Sequence, residues 1–189
     1  MALPPRAKAA GPAPQEPACW LTVRDCTSPA PAAYQYTTFP LGTEDCLTLD
    51  IYSSAEAKKR PVLVYLHGSA ATGSSLELPG SELVRDAGCV FVALNYRLGL
   101  FGWNCLPALT ADPDATGNFA CWTSPGRWTG CGTTSAALAA TPTTSPFCGF
   151  SDGGRMAAAL AGSPLFRGAS RSRRHLRRLS LADPDARRP

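Results

Sequence analysis

Two short apolar runs constrain this chain more than any other feature. Pro61-Val62-Leu63-Val64-Tyr65-Leu66 and Cys89-Val90-Phe91-Val92-Ala93-Leu94 carry no charge and are rich in β-branched and aromatic residues. Such runs, too short for a typical helix and apolar at every position, fit strands buried on both faces. Between them lie a small-residue loop, Ser69 to Pro79, and a short helical pattern, Glu82 to Ala87. Ser81 is placed to cap that helix and Gly88 to stop it. Strand, loop and helix, strand at this spacing predicts a βαβ unit in a mostly parallel sheet. Upstream, Leu47, Leu49 and Ile51 alternate with polar residues, the pattern of a half-buried strand. The fold class is α/β.

A second feature, Gly149-Phe150-Ser151-Asp152-Gly153, reads G-x-S-x-G. That pattern describes a serine held on a strained strand-to-helix turn with its Oγ exposed, the nucleophile elbow. Its glycines are needed where backbones approach closely. The five residues alone fit a Gly-rich loop with an ordinary surface serine better than an elbow. An elbow also needs a helix after it and a buried strand before it. Arg155 to Ala161, stopped by Gly162, supplies the helix. The preceding stretch, Thr141 to Cys148, carries Pro142 and Pro146, which argue against a central strand. On this reading the strand is missing.

The chain of 189 residues is long enough for one domain with a core. Its 17 glycines and 18 prolines suggest many loops or damaged elements. Met1 to Pro17 is rich in Ala and Pro and is expected to be disordered. It has no apolar h-region, so it does not read as a signal peptide, and no apolar stretch reaches the length of a membrane span. The 8 cysteines form no C-x-x-C pair and have no histidine partners, so no zinc site is expected. The net charge of +4 resides largely in the arginine run Arg167 to Arg178.

Several blocks resemble one family, in its order along the chain. Glu44-Asp45-Cys46-Leu47-Thr48-Leu49-Asp50-Ile51-Tyr52 is similar to the E-D-C-L-x-L-N-I-Y signature of type-B carboxylesterases and cholinesterases. Leu66-His67-Gly68 and Gly73-Ser74-Ser75 resemble the two ends of that family's H-G-G-G-F-x-x-G-S-S loop. Asn95 to Gly102 resembles its N-Y-R-L-G-x-F-G segment, and Gly117-Asn118-Phe119 its G-N-[FW]-G. Trp20 with Val23-Arg24-Asp25 is similar to an upstream W-x-G-V-R-D, and Ser163 to Ala169 to the segment after the elbow. The resemblance implies an incomplete α/β-hydrolase fold, a partial type-B domain over residues 18–169. It also implies hydrolysis of a small-molecule carboxylic ester without metal or cofactor. Family members are often secreted.

The interval 120–148 departs from the family although its length matches. Codons for Ala120 to Ser124, read one base earlier, permit the family's G-L-L-D-Q. Continued to Ser135 they permit P-R-A-L-D-W-V-R-D-N-I, and to Cys148 G-G-F-G-G-D-P-D-N-V-T-L-L. That string contains the missing helix and strand. The segment 120–148 is therefore expected to be out of frame. Ser170 to Arg173 permits I-A-Q-S in the same way, so the basic tail, 170–189, is expected to be out of frame and disordered. The alternative, a nucleic-acid or nuclear-import patch, is set aside because the run falls where the frame breaks. No nucleic-acid partner is expected.

The resemblance makes Ser151 the nucleophile. It assigns the oxyanion hole to backbone N–H groups of Gly68, Ser69 and Asp152. The loop is one residue short of the family's, and the Asp152 carboxylate, where the family has alanine, would oppose a developing oxyanion. The family's acid and histidine lie far downstream. His175, Asp183 and Asp185 fall in the tail and receive no role, and His67 belongs to the loop. The resemblance pairs Cys46 with an upstream cysteine, Cys19 or Cys26; a buried free thiol is the alternative. Cys89 reads as core, and Cys121, Cys131 and Cys148 as products of the frame change. The expectation is an esterase fragment that is inactive as written. Rival readings are a non-catalytic cholinesterase-like binding module and a non-functional pseudogene product.

Overall fold

A computed structural model describes residues 25–54, 60–106, 117–121 and 147–163. The expected disordered ends, 1–17 and 170–189, and nearly all of the out-of-frame interval lie outside these residues.

A four-stranded sheet in the order β3-β5-β4-β6 organises the rest. Here β3 is Leu49–Tyr52, β4 Val62–Leu66, β5 Val90–Leu94 and β6 Phe147–Gly149. β4 pairs in parallel with β5 and β6, and β3 runs antiparallel to β5. β1 (Gln35–Tyr36) and β2 (Pro40–Leu41), a small hairpin with no sequence signal, stand apart.

Alternation explains why β4 and β5 are apolar throughout. Val62, Val64 and Leu66 join Val90, Val92 and Leu94 on one face, packed against Met156, Ala157 and Leu160. Tyr65, Phe91 and Ala93 face the other way, against Val84. Those partners come from two helices, α1 (Gly80–Ala87) on one side and α3 (Asp152–Gly162) on the other. A four-residue helix, α2 (Gly99–Gly102), lies between β5 and β6 in the chain. The β4-α1-β5 crossover is the expected βαβ unit.

Three expectations need correction. The helix after the elbow starts at Asp152 rather than Arg155 and does not stop at Gly162, but includes it and is capped at Ser163. Ser81 does not cap α1. The helix begins at Gly80 after Pro79, whose carbonyl accepts the N–H of Glu82 (3.0 Å) and Leu83 (3.2 Å). Gly88 does end it, at φ 59. The strand judged missing before the elbow is present as β6, in register with Val64 to Leu66. Proline forbids a ladder bond only at its own N–H. The three paired residues, Phe147 to Gly149, contain no proline, and they suffice.

Candidate active site

Ser151 closes the turn between β6 and α3 with φ 51 and ψ −115. A residue with a Cβ rarely occupies that region, at a cost of about 1–3 kcal/mol. Its neighbours enforce it. A Cβ on Gly149 would lie 2.3 Å from the Gly153 carbonyl carbon, and one on Gly153 would lie 2.1 Å from the Leu66 oxygen. The chain thus crosses itself and abuts the end of β4. The Phe150 N–H reaches the Leu66 carbonyl at 3.3 Å, and the Arg155 N–H reaches that of Ser151 at 3.2 Å. Ser151 is exposed. Strand, strained serine and helix therefore occur together.

The loop after β4 forms the facing wall. His67 is wholly buried, and its ring stacks on Tyr96 with centroids 4.2 Å apart. The Tyr96 hydroxyl donates to the His67 carbonyl at 2.7 Å. His67 Nδ1 lies 2.9 Å from the Gly68 carbonyl, so that nitrogen carries the hydrogen, and Nε2 has no partner among the described residues. Burial lowers the His67 pKa and keeps the ring neutral. Ser69 has φ 63. Its Oγ accepts from the Ala71 N–H (3.2 Å) and from the Thr72 N–H (3.1 Å) and hydroxyl (3.2 Å).

Deeper contacts hold the loop to the sheet. Gln35 brackets Gly73, accepting its N–H and donating to its carbonyl, both at 2.9 Å. Asn95 accepts the Ser75 N–H at 2.8 Å and donates to the Ser75 and Thr48 hydroxyl oxygens. The Ser75 hydroxyl donates in turn to Asp50.

Between turn and loop is an open cleft of about 570 Å³, bordered by Gly68, Ser69, Glu77, Phe150, Ser151 and Asp152. The expected nucleophile and expected donor residues thus meet at one cleft. Their N–H groups differ in availability. That of Gly68 donates to Glu77 Oε2 at 2.8 Å. Those of Ser69 and Asp152 have no acceptor among the described residues. The Asp152 carboxylate, expected to oppose an oxyanion, is already engaged. Oδ2 accepts the Ala70 N–H at 3.2 Å, and Oδ1 pairs with Arg155 at 2.9 Å.

Glu77 was not singled out from sequence. The available signal was the Tyr65 hydroxyl, placed in a buried strand where it needs a partner. It donates to Glu77 Oε2 at 3.1 Å.

The remaining candidates are scattered. Cys26 is exposed and Cys46 buried, both as free thiols, so the Cys26–Cys46 pairing is not formed; Cys19 lies outside the described residues. Burial pushes the Cys46 thiol up to about 11 and the Cys148 thiol up to about 12. Cys89 is in the core, as expected. Cys131, His175, Asp183 and Asp185 lie outside the described residues.

A parallel βαβ sheet whose strand-turn-helix carries a strained serine defines an α/β-hydrolase fold, of which the described residues hold one part. The comparisons agree. The sequence profile of the Carboxylesterase family matches residues 2–123. Carboxylesterase 3B of Mus musculus is 49% identical over 69 residues, 34% of this chain and 12% of its own. Para-nitrobenzyl esterase of Bacillus subtilis (strain 168) is 36% identical over 103 residues, 48% of this chain and 21% of its own. The solved structure of a PNB esterase superposes with a TM-score of 0.76 at 29% identity, covering 86% of this chain and 35% of that one. The chain belongs to the carboxylesterase family and spans a minor part of the length of these relatives.

Proposed function

We propose that this chain carries the nucleophile-bearing part of a carboxylic-ester hydrolase, with Ser151 as the nucleophile. Ser151 Oγ attacks the ester carbonyl, the alcohol leaves, and water later hydrolyses the acyl-enzyme. Charge on the carbonyl oxygen falls to the N–H groups of Ser69 and Asp152, which border the cleft and have no acceptor among the described residues. Gly68, whose N–H is occupied by Glu77, drops out of the expected set. The observation that carries the reading is the Ser151 backbone, held in a costly conformation by glycine contacts. Strain kept at an exposed serine on a cleft fits a functional role.

The attack needs a base. His67 is buried, turned onto the Gly68 carbonyl and outside the cleft lining. No other histidine occurs among the described residues. The described residues thus hold no histidine base beside Ser151, and this reading includes the proposal that the chain as written is inactive. The frame reading of 120–148 stands beside it as a proposal, supported by the family match, which stops at residue 123.

Chemical rescue tests the assignment. Imidazole added with p-nitrophenyl acetate replaces the missing base, and Ser151 becomes acetylated, as located by peptide mass spectrometry. Equal acetylation and p-nitrophenol release in Ser151→Ala would refute the nucleophile. Turnover without imidazole, abolished by Ser151→Ala, would refute the inactivity.

A further inference from the structure

We propose that Asp152 and Glu77 are a pair of positioning residues. Their carboxylates each hold one N–H of the loop and leave the N–H between them for the oxyanion. This rests on the assignment of Ser151 as nucleophile.

Three consecutive amides carry the inference. The Gly68 N–H is taken by Glu77 at 2.8 Å and the Ala70 N–H by Asp152 at 3.2 Å. The Ser69 N–H between them has no acceptor among the described residues. Bonds to an ionised acceptor are stronger than neutral ones, so both contacts fix backbone geometry more firmly than ordinary loop bonds. Glu77 closes the loop on itself. Its carboxylate reaches the first residue after His67, while its own N–H donates to the Ser74 carbonyl at 3.2 Å. Asp152 joins the loop to the elbow. The residue that offers one free N–H thus grips the segment that offers the other.

Two negative charges beside an oxyanion oppose it, but neither stands alone. Arg155 pairs with Asp152 at 2.9 Å, and Glu77 accepts from the Tyr65 hydroxyl as well as from Gly68. Positioning and charge therefore act in opposite directions, and substitutions separate them. An amide keeps the acceptor and removes the charge; alanine removes both.

The experiment uses the full chain in two measurements. Residue-by-residue amide exchange by NMR reads the loop without any chemistry. Asp152→Ala is expected to speed exchange at Ala70, and Glu77→Ala at Gly68, each about fivefold to tenfold for one lost hydrogen bond. Asp152→Asn and Glu77→Gln are expected to keep the protection. The second measurement is imidazole-dependent acetylation of Ser151. The alanine variants are expected to slow it about fivefold to tenfold, as for a partly misplaced donor, and each amide variant, which keeps the acceptor, to react faster than its alanine counterpart by about the same factor. Unchanged exchange at Ala70 and Gly68 in the alanine variants overturns the proposal. So does acetylation of the alanine variants at the parental rate. If the parent is not acetylated at all, the nucleophile reading fails, and the exchange pattern by itself still decides whether the carboxylates hold the loop.

Discussion

The loop after β4 and the turn after β6 leave the same end of neighbouring parallel strands, and each holds one non-glycine residue at positive φ. Ser69 has φ 63 and Ser151 has φ 51. They are held in different ways. Ser69 is held by its own side chain, whose Oγ accepts three hydrogen bonds from Ala71 and Thr72. Ser151 makes no capping bond with its side chain and is held by backbone pressed against backbone at Gly149 and Gly153. The first device uses up the hydroxyl. The second leaves it exposed at the cleft, as a nucleophile requires. The contrast separates a serine that builds the site from one that is available to react.

The largest effect should come from the backbone contact. Gly153→Ala drives a Cβ into the Leu66 and His67 carbonyls, at 2.1 and 2.3 Å. A loss of about 3 kcal/mol is expected in a thermal or denaturant melt, together with loss of Ser151 acetylation. A near-parental melt would show that the turn is not held by this contact. Next comes the loop's anchor. Asn95→Ala leaves the buried Ser75 N–H and the Thr48 hydroxyl without their partner, at an expected cost of about 2 kcal/mol.

The two serines themselves should respond with opposite sign. Ser151→Gly relieves the positive φ and loses no side-chain bond, so a gain of about 1 kcal/mol is expected. Ser69→Ala keeps the strain and removes the acceptor, so a loss of about 1 kcal/mol is expected. Matching signs in paired urea titrations would remove the distinction.

A slope should come from His67. Its folded pKa is depressed, so the unfolded chain binds the proton more readily. Its contribution is full above the unfolded value of about 6.5 and is lost as pH falls below that value and through the lower folded one. His67→Gln should flatten the fall of Tm below that pH; an unchanged slope would place the titration elsewhere.

The legible parts of the fold were those with one-dimensional signals. The apolar runs at Val62–Leu66 and Val90–Leu94 and Gly88 as a helix stop read correctly, and a helix does follow the elbow, although it begins at Asp152 and includes Gly162, the expected stop. β6 was not legible, because three residues become a strand through their partner β4, and the nearby prolines masked them. The site was half legible. Ser151, Ser69 and Asp152 follow from motif and resemblance, and they line one cleft. The roles of Glu77, Gln35 and Asn95 were hidden, since each reaches its partner across 9, 38 and 20 residues of chain.

The amino-acid sequence by itself determined the α/β class and the family, and it marked Ser151 on its glycine-flanked turn. Those properties rest on periodicity and on local backbone freedom, which neighbouring residues decide. Only the tertiary structure decided which N–H groups beside that serine have no acceptor among the described residues. It also showed the Asp152 carboxylate, expected only as a charge opposing an oxyanion, to accept the Ala70 N–H and to pair with Arg155. The physical reason is that a hydrogen bond between distant segments depends on where the sheet brings their ends together, and no spacing in the chain encodes that distance.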